Sequence, residues 1–217
     1  MGLNDIMGRL RAAEDRAGRS PGSVTLIAVS KVQPDDRVRA VLDAGHRTFG
    51  ENYVQETQGK WPDWRAAYPG VSVHMIGPLQ SNKARQAVQL FDAIHTLDRM
   101  TLARKLAQQI DEQGRSPRLF VQVNTGDEPQ KAGILADELP VFLSSCRALG
   151  LSPDGLMCIP PEGQDPRPHF ALLRDLAADH GLSGLSMGMS ADFEAAVELG
   201  ATHVRVGSAI FGARDYG

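Results

Sequence analysis

The sequence has little cysteine and no recognisable metal-ligating pattern. Its 217 residues include two cysteines, Cys146 and Cys158, which are too few for a disulfide framework and form no CxxC pair. We therefore expect a reducing, cytoplasmic setting. The six histidines show no HExxH or comparable spacing, so we expect no metal site.

Long apolar runs and a marked excess of one charge are also missing. The longest apolar run, 24–29, is interrupted by Thr25 and is far too short to span a bilayer. The first ten residues lack the apolar stretch of a secretory signal peptide. Lysine and arginine number 23 and aspartate and glutamate 26, a net charge of −3. We therefore expect neither nucleic acid nor a membrane as a partner.

What is present indicates one globular domain that alternates strands with helices. Hydrophobic residues make up 42% of the chain and charged residues 23%, as in soluble proteins. Residues 3–17 form an amphipathic pattern typical of a helix, and short apolar segments separated by helical stretches follow. We predict eight strands, at 24–29, 47–49, 71–76, 93–97, 118–123, 155–159, 182–187 and 203–206.

Eight strand–helix units joined by short connections predict a single α/β domain over 1–217. The favoured fold is a (β/α)8 TIM barrel with an extra N-terminal helix, since eight such units close a barrel of parallel strands. A doubly wound open sheet is the alternative. The absence of a glycine-rich turn after the first strand weakens a dinucleotide-binding interpretation of that alternative.

Polar residues at the predicted strand ends are the candidate site residues, because barrel active sites form at the carboxyl ends of the strands. Lys31 ends the first strand and is either a solvated cation or an amine available for a Schiff base. Asn52, after the second strand, is either a ligand contact or a helix N-cap. His74, in the third strand, is either a core residue or part of the site.

The last two strands run into small residues that favour anion binding. The segment 186–190 (SMGMS) precedes a predicted helix, and Gly207 and Ser208 follow the eighth strand. Small residues and exposed backbone N–H groups at these two positions commonly bind phosphate in barrels. Two ordinary turns, with Ser190 as an N-cap, are the other interpretation. Arg205 shares a strand face with Gly207 and would pair with either a ligand or a core carboxylate.

A strand-end lysine facing a phosphate site indicates pyridoxal 5′-phosphate (PLP) as cofactor. This cofactor needs an amine, an anion site and a group facing its pyridine nitrogen. Arg205 fits the last role, because a permanently protonated guanidinium donates to the nitrogen and keeps it unprotonated.

The chain resembles the pyridoxal phosphate homeostasis protein family along nearly its whole length. The segments that carry the resemblance are 28–31 (AVSK), 49–53 (FGENY), 74–83 (HMIGPLQSNK), 123–124 (VN), 131–133 (KAG), 185–190 (LSMGMS) and 204–212 (VRVGSAIFG).

The resemblance implies a barrel like the N-terminal domain of alanine racemase, with PLP bound as an aldimine to Lys31. Arg205 would face the pyridine nitrogen. The other cofactor-binding residues that it implies are Asn52, His74, Ser186, Met187, Ser190, Gly207 and Ser208. Lys83 and Lys131 match family lysines associated with secondary PLP handling.

The family is expected to hold PLP, keep the free aldehyde low and deliver PLP to apo-enzymes, as a monomer without enzymatic turnover. A low-activity PLP-dependent racemase or decarboxylase is the alternative. Racemisation needs a second acid–base group besides Lys31. Among the tyrosines Tyr53, Tyr68 and Tyr216, only Tyr53 lies near a strand end. An interaction module without a cofactor would leave the facing lysine and phosphate site unexplained.

Overall fold

Eight parallel strands form a closed barrel in the computed structural model, which describes residues 2–212. Each strand pairs with the next in chain order, and the first pairs with the last. The strands are β1 (Thr25–Val29), β2 (Thr48–Glu51), β3 (Ser72–Met75), β4 (Ala93–Leu97), β5 (Arg118–Gln122), β6 (Gly155–Met157), β7 (Gly184–Ser186) and β8 (His203–Val206).

Helices surround the barrel: one precedes the first strand, and a helix follows each of the eight strands. They are α1 (Leu3–Arg16), α2 (Asp35–Asp43), α3 (Val54–Ala67), α4 (Ala84–Leu90), α5 (Met100–Gln113), α6 (Leu139–Ala148), α7 (Arg167–Asp179), α8 (Phe193–Glu198) and α9 (Ser208–Phe211). A 3-10 turn, Ser81–Lys83, leads into α4. Within residues 2–212, none of these helices combines the length and apolar character needed to cross a membrane.

The predicted barrel with its extra N-terminal helix is confirmed, and the open-sheet alternative is wrong. Thr25 pairs with His203 and Ala28 with Val206, so the sheet has no free edge. The element boundaries differ by a few residues. The predicted strand 155–159, for example, ends at Met157, and the chain then enters a proline-containing loop.

Two layers of side chains stabilise the barrel, one outside it and one inside. The outer layer is a continuous apolar core between strands and helices, and it includes the aromatic pair Trp61 and Trp64. The inner layer is unusual for a barrel, where branched aliphatic residues normally dominate. Here His95 stacks on Phe120 with ring centroids 4.3 Å apart, and His203 packs against both rings at 5.7 and 5.1 Å.

A buried carboxylate ties α1 to the start of the barrel. The Glu14 side chain is fully buried and accepts hydrogen bonds from the backbone N–H groups of Gly22 and Val24, at 3.0 and 2.8 Å. Arg11 donates to the same carboxylate at 2.6 Å. Burial by itself raises the pKa of Glu14, but the bonds from Arg11, Gly22 and Val24 outweigh it, and the pKa is lowered.

We predict that Glu14→Ala destabilises the protein by roughly 3 kcal/mol, a fall of about 10 °C in Tm, because two backbone N–H groups and Arg11 lose their acceptor. Thermal unfolding followed by circular dichroism measures it. Because the folded pKa is depressed, this stability is present above the unfolded pKa and is lost as the pH falls through the folded one. Asp15→Ala, at an exposed neighbouring position, is the control. Equal Tm values for the two variants at pH 7 would refute this role.

Candidate active site

A cavity of about 240 Å³ opens at the carboxyl ends of the strands. It brings together six of the predicted site residues, which the sequence spreads over more than 170 positions. Its lining consists of Val29, Lys31, Asn52, Ile76, Gly77, Pro78, Ile159, Met189, Ser190, Arg205, Gly207 and Ser208. The lysine and the arginine therefore face one volume, with small polar residues beside them.

The backbone that carries Lys31 is fixed by a buried carboxylate behind it. Ser30 donates its hydroxyl to Glu51 Oε1 at 2.7 Å, and Trp61 Nε1 donates to the same oxygen at 2.9 Å. Lys60 Nζ lies 3.1 Å from that oxygen. Burial raises the pKa of Glu51, and the nearby Lys60 charge acts in the opposite direction. Ser30, the residue before Lys31, is thus held by a buried carboxylate that Trp61 and Lys60 hold in turn.

The residue after Lys31 has a strained backbone. Val32 has a φ of 55°, a left-handed conformation that is a true outlier for a β-branched residue. Its N–H donates to Glu56 Oε1 at 2.8 Å, and Lys60 pairs with Glu56 at the same distance. Such strain persists only where the surroundings impose it, and it occurs preferentially at functional sites. Lys31 follows β1, which ends at Val29, and the strained turn directly after it is held in place by α3.

Arg205 is a buried cation whose hydrogen-bond acceptors are all neutral among residues 2–212. Its Nη1 donates to Ser186 Oγ at 2.7 Å and its Nη2 to the carbonyl oxygen of Cys158 at 2.9 Å. Burial lowers the pKa of the guanidinium. The negative charge of Asp192 acts in the opposite direction, but no carboxylate within residues 2–212 hydrogen-bonds the guanidinium. Because a buried charge is costly unless it is paired, an electron-rich ligand in the cavity would stabilise Arg205 further. The Cys158 thiol is no such partner, because burial raises its pKa to about 12.

The predicted phosphate-binding residues Ser190, Gly207 and Ser208 line the same cavity. Gly207 directly precedes α9, and Ser208 begins it. The N–H groups of Ile210 and Phe211 donate to the carbonyl oxygen of Gly207, so only those of Ser208 and Ala209 precede the first hydrogen bond of the helix. Ser190 is not an N-cap, because Asp192 occupies that position before α8. Asn52 is likewise not the N-cap of α3, which is Tyr53. Both side chains line the cavity instead.

Three predicted site residues lie beneath or beside the cavity and do not line it. Ser186 is fully buried and accepts the hydrogen bond from Arg205. Met187 is buried in the outer apolar core, while its N–H donates to the carbonyl of His203. His74 lies in the barrel interior, where its Nδ1 is 3.0 Å from Nε2 of His95. Ser186 therefore supports the site through Arg205.

Lys83 and Lys131 line two neighbouring cavities. Lys83 lies in a cavity of about 350 Å³ that shares Asn52 and Pro78 with the central one. Lys131 lies in a cavity of about 740 Å³ that shares Ile159 and Met189 with it. Lys131 Nζ also pairs with a carboxylate oxygen of Glu128 at 2.6 Å. Each lysine is thus separated from the central cavity by a shared wall.

Sequence reasoning missed His95, whose ring is fully buried at the centre of the barrel. Its Nδ1 lies 2.8 Å from Ser186 Oγ, one bond away from Arg205. The sequence did offer one indication of a buried role: His95 lies within the apolar strand β4, on the same face as Ala93. Within residues 2–212, no group of three or more histidine, cysteine, aspartate or glutamate side chains is arranged to hold a metal ion.

The fold and this site define a member of the class built on the alanine racemase N-terminal domain, and residues 3–215 match the model of that family. The pyridoxal phosphate homeostasis protein of Pseudomonas aeruginosa is 44% identical, covering 98% of this chain and 94% of that protein. Its Escherichia coli K12 counterpart is 41% identical, covering 99% and 96%. The chain belongs to the pyridoxal phosphate homeostasis protein family.

Solved structures show the same relationship. PipY of Synechococcus elongatus, solved with PLP bound, is 41% identical with a TM-score of 0.82, covering 94% of this chain and 99% of that one. An alanine racemase from Clostridium difficile is only 12% identical, with a TM-score of 0.70. Its likeness concerns the fold alone, and this chain spans about half of its length, 55%.

We predict that Gly77→Ala distorts the cavity wall and costs about 1–3 kcal/mol of stability. A Cβ at residue 77 would lie 2.6 Å from the Cα and the carbonyl oxygen of Asn52, which are backbone atoms. Gly77 has little freedom to retreat, because Thr96 Oγ1 donates to its carbonyl at 2.7 Å.

Chemical denaturation of the variant measures that cost. The matched control is Gly59→Ala in α3, where a new Cβ meets nothing within 4 Å. The control should gain about 0.5–1 kcal/mol, because alanine is the better helix former. A Gly77→Ala variant as stable as wild type would show that this wall yields.

Proposed function

We propose that this protein binds PLP covalently through Lys31, keeps the free aldehyde low and supplies the cofactor to PLP-dependent apo-enzymes. The observation that carries the proposal is that Lys31 and Arg205 line the same cavity together with Ser190, Gly207 and Ser208. An amine, a permanent donor and an anion site are the three groups that PLP requires.

Each residue has a separate task in this proposal. PLP supplies an aldehyde that condenses reversibly with a primary amine, and Lys31 provides the amine. Arg205 donates a hydrogen bond to the pyridine nitrogen and, being permanently charged, keeps that nitrogen unprotonated. The phosphate would take the N–H groups at the start of α9 and the hydroxyls of Ser190 and Ser208.

The relatives support the same assignment. PipY has been solved with PLP bound, and the curated relatives are named for PLP homeostasis. Asn52 would contact the ligand from the β2 side, and Lys83 and Lys131 would handle PLP as it enters or leaves. We further propose that the protein is a monomer and that it is cytoplasmic. Its two free, buried cysteines agree with a reducing compartment.

We predict that Lys31→Arg abolishes covalent PLP binding, because the variant keeps the positive charge but has no primary amine. The wild-type protein should acquire visible absorption with PLP, and borohydride followed by peptide mapping should place the adduct on Lys31. Lys105→Arg, at an exposed position of α5, is the control and should bind like wild type. An adduct on any other lysine as the main product would sink the assignment.

The geometry favours a carrier over a racemase or decarboxylase. Tyr53, the candidate for a second acid–base group, is 57% exposed and lines the neighbouring cavity with Lys83. Tyr68 hydrogen-bonds Asp43 at an exposed position, and Tyr216 lies outside the described residues. His74 and His203 do not line the Lys31 cavity either. Burial lowers the pKa of His74 to about 4 and that of His203 to about 3, so both are neutral near pH 7.

We therefore expect no multiple turnover of amino acids. PLP-loaded protein should be incubated with single-enantiomer alanine and other amino acids, and inversion and CO2 release measured over time. The expected product is at most stoichiometric with the protein, because a second acid–base group does not line the Lys31 cavity among residues 2–212. Product that continues to accumulate, and that Lys31→Arg abolishes, would establish an enzyme instead.

A further inference from the structure

A chain of hydrogen bonds runs from the cavity to the opposite end of the barrel. Arg205 Nη1 donates to Ser186 Oγ at 2.7 Å, and that oxygen lies 2.8 Å from His95 Nδ1. The other nitrogen of His95 lies 3.0 Å from His74 Nδ1. Nε2 of His74 in turn lies 3.0 Å from the hydroxyl of Ser72 at the start of β3. Four consecutive contacts therefore link five side chains.

The interior members of this chain are shielded from water. Ser186 and His95 have no exposed surface, and His74 is 6% exposed. His95 is held flat against Phe120, with an angle of 8° between the rings. Ser72 at the far end is half-buried, and it is the most exposed of these four residues. Ser186 and His95 must therefore find their hydrogen-bond partners within the protein.

The chemistry of the first link decides where every proton lies. A guanidinium only donates, so Ser186 Oγ must accept from Arg205. The single proton of Ser186 then needs an acceptor, and His95 Nδ1 is the other polar atom in contact with that oxygen among residues 2–212. His95 therefore carries its own proton on Nε2 and donates to His74 Nδ1. His74 likewise carries its proton on Nε2 and donates to Ser72.

The opposite set of histidine tautomers leaves the hydroxyl proton of Ser186 without an acceptor. If His95 carried its proton on Nδ1, Ser186 Oγ would receive two donors, and its own proton would be buried without an acceptor. Buried donors in this condition are rare in folded proteins. Tautomers of this kind are assigned from the hydrogen-bond network, and here the network is consistent in one direction only.

We propose that His95 is a positioning residue for Arg205: through Ser186 it fixes the guanidinium so that its remaining N–H groups face the cavity. The proposal rests on the proposed function, because the orientation matters only if the cavity holds a ligand that accepts from Arg205. Each link donates away from the cation, so each strengthens the next. Burial keeps His74 and His95 neutral by lowering their pKa values, which leaves the positive charge on Arg205.

The first test measures the histidine tautomers in the ligand-free protein by 15N NMR of labelled histidine side chains. The expected result is an Nε2–H tautomer for both His74 and His95, with assignment by single histidine-to-glutamine variants. An Nδ1–H tautomer at either residue would overturn the proton order and with it the proposal. Because no ligand is added, this result does not depend on whether PLP binds.

The second test compares His95→Leu with His95→Gln in PLP binding followed by absorbance. Glutamine has an acceptor for Ser186 and a donor for His74, whereas leucine fills space without either. We expect about tenfold weaker binding and a shifted absorption maximum for leucine, with glutamine close to wild type. Equal behaviour of the two variants would contradict a positioning role.

The outcomes separate the two proposals. Wild-type protein that does not bind PLP would refute the proposed function and, with it, the role of His95. Wild-type binding together with unchanged binding by His95→Leu would refute only the role of His95. If His95→Leu fails to fold, Ser186→Ala interrupts the same chain one link nearer the cavity, and an unchanged affinity and spectrum would be equally decisive against the proposal.

Discussion

The pairing of β1 with β8 is the constraint on which the whole site depends. Closing the sheet brings Ile27 beside Arg205 and thereby sets the first strand next to the last. Lys31 and Ser208 are 177 positions apart in sequence, yet they line one cavity of about 240 Å³. An open sheet with the same strands would leave Lys31 and the turns at Ser190 and Ser208 at opposite edges. Barrel closure therefore creates the binding site as well as the core.

Within that frame, the two charged groups of the cavity are supported in different ways. Lys31 sits on a backbone turn whose neighbours, Ser30 and Val32, are tied to carboxylates of β2 and α3. Arg205 is supported by neutral groups of the barrel interior, Ser186 and the Cys158 carbonyl. The first arrangement fixes where an amine emerges. The second leaves a buried cation that gains from an electron-rich ligand.

Much of this could be predicted from sequence, because it depends on local patterns. The alternation of strands and helices predicts the barrel, and polar or small residues at and after the strand ends predict six of the cavity-lining residues. What could not be predicted depends on side-chain direction and on partners far apart in the chain. His74 and Met187 belong to matching motifs, but the strand pleat directs His74 into the barrel interior, and Met187 is buried in the outer core.

The position of His95 illustrates the limit more sharply. Nothing local distinguishes a histidine that fills space from one that supports an arginine on a strand four units further along the barrel. Its partner Ser186 lies 91 positions away, and the contact exists only because the barrel interior is narrow enough for the two side chains to meet. Strand-end motifs therefore predict residues at the carboxyl ends of the strands. The contacts inside the barrel can be identified only from the three-dimensional structure.

The anchor at Cys158 has a consequence for how this family can vary. Arg205 is held there by a main-chain oxygen, which every amino acid provides, so the identity of residue 158 is free to drift within the limits of packing. The anchor at Ser186 is a side chain and can be lost or altered by a single codon change. A substitution at position 186 can therefore change one contact of Arg205 while the carbonyl of residue 158 keeps the other.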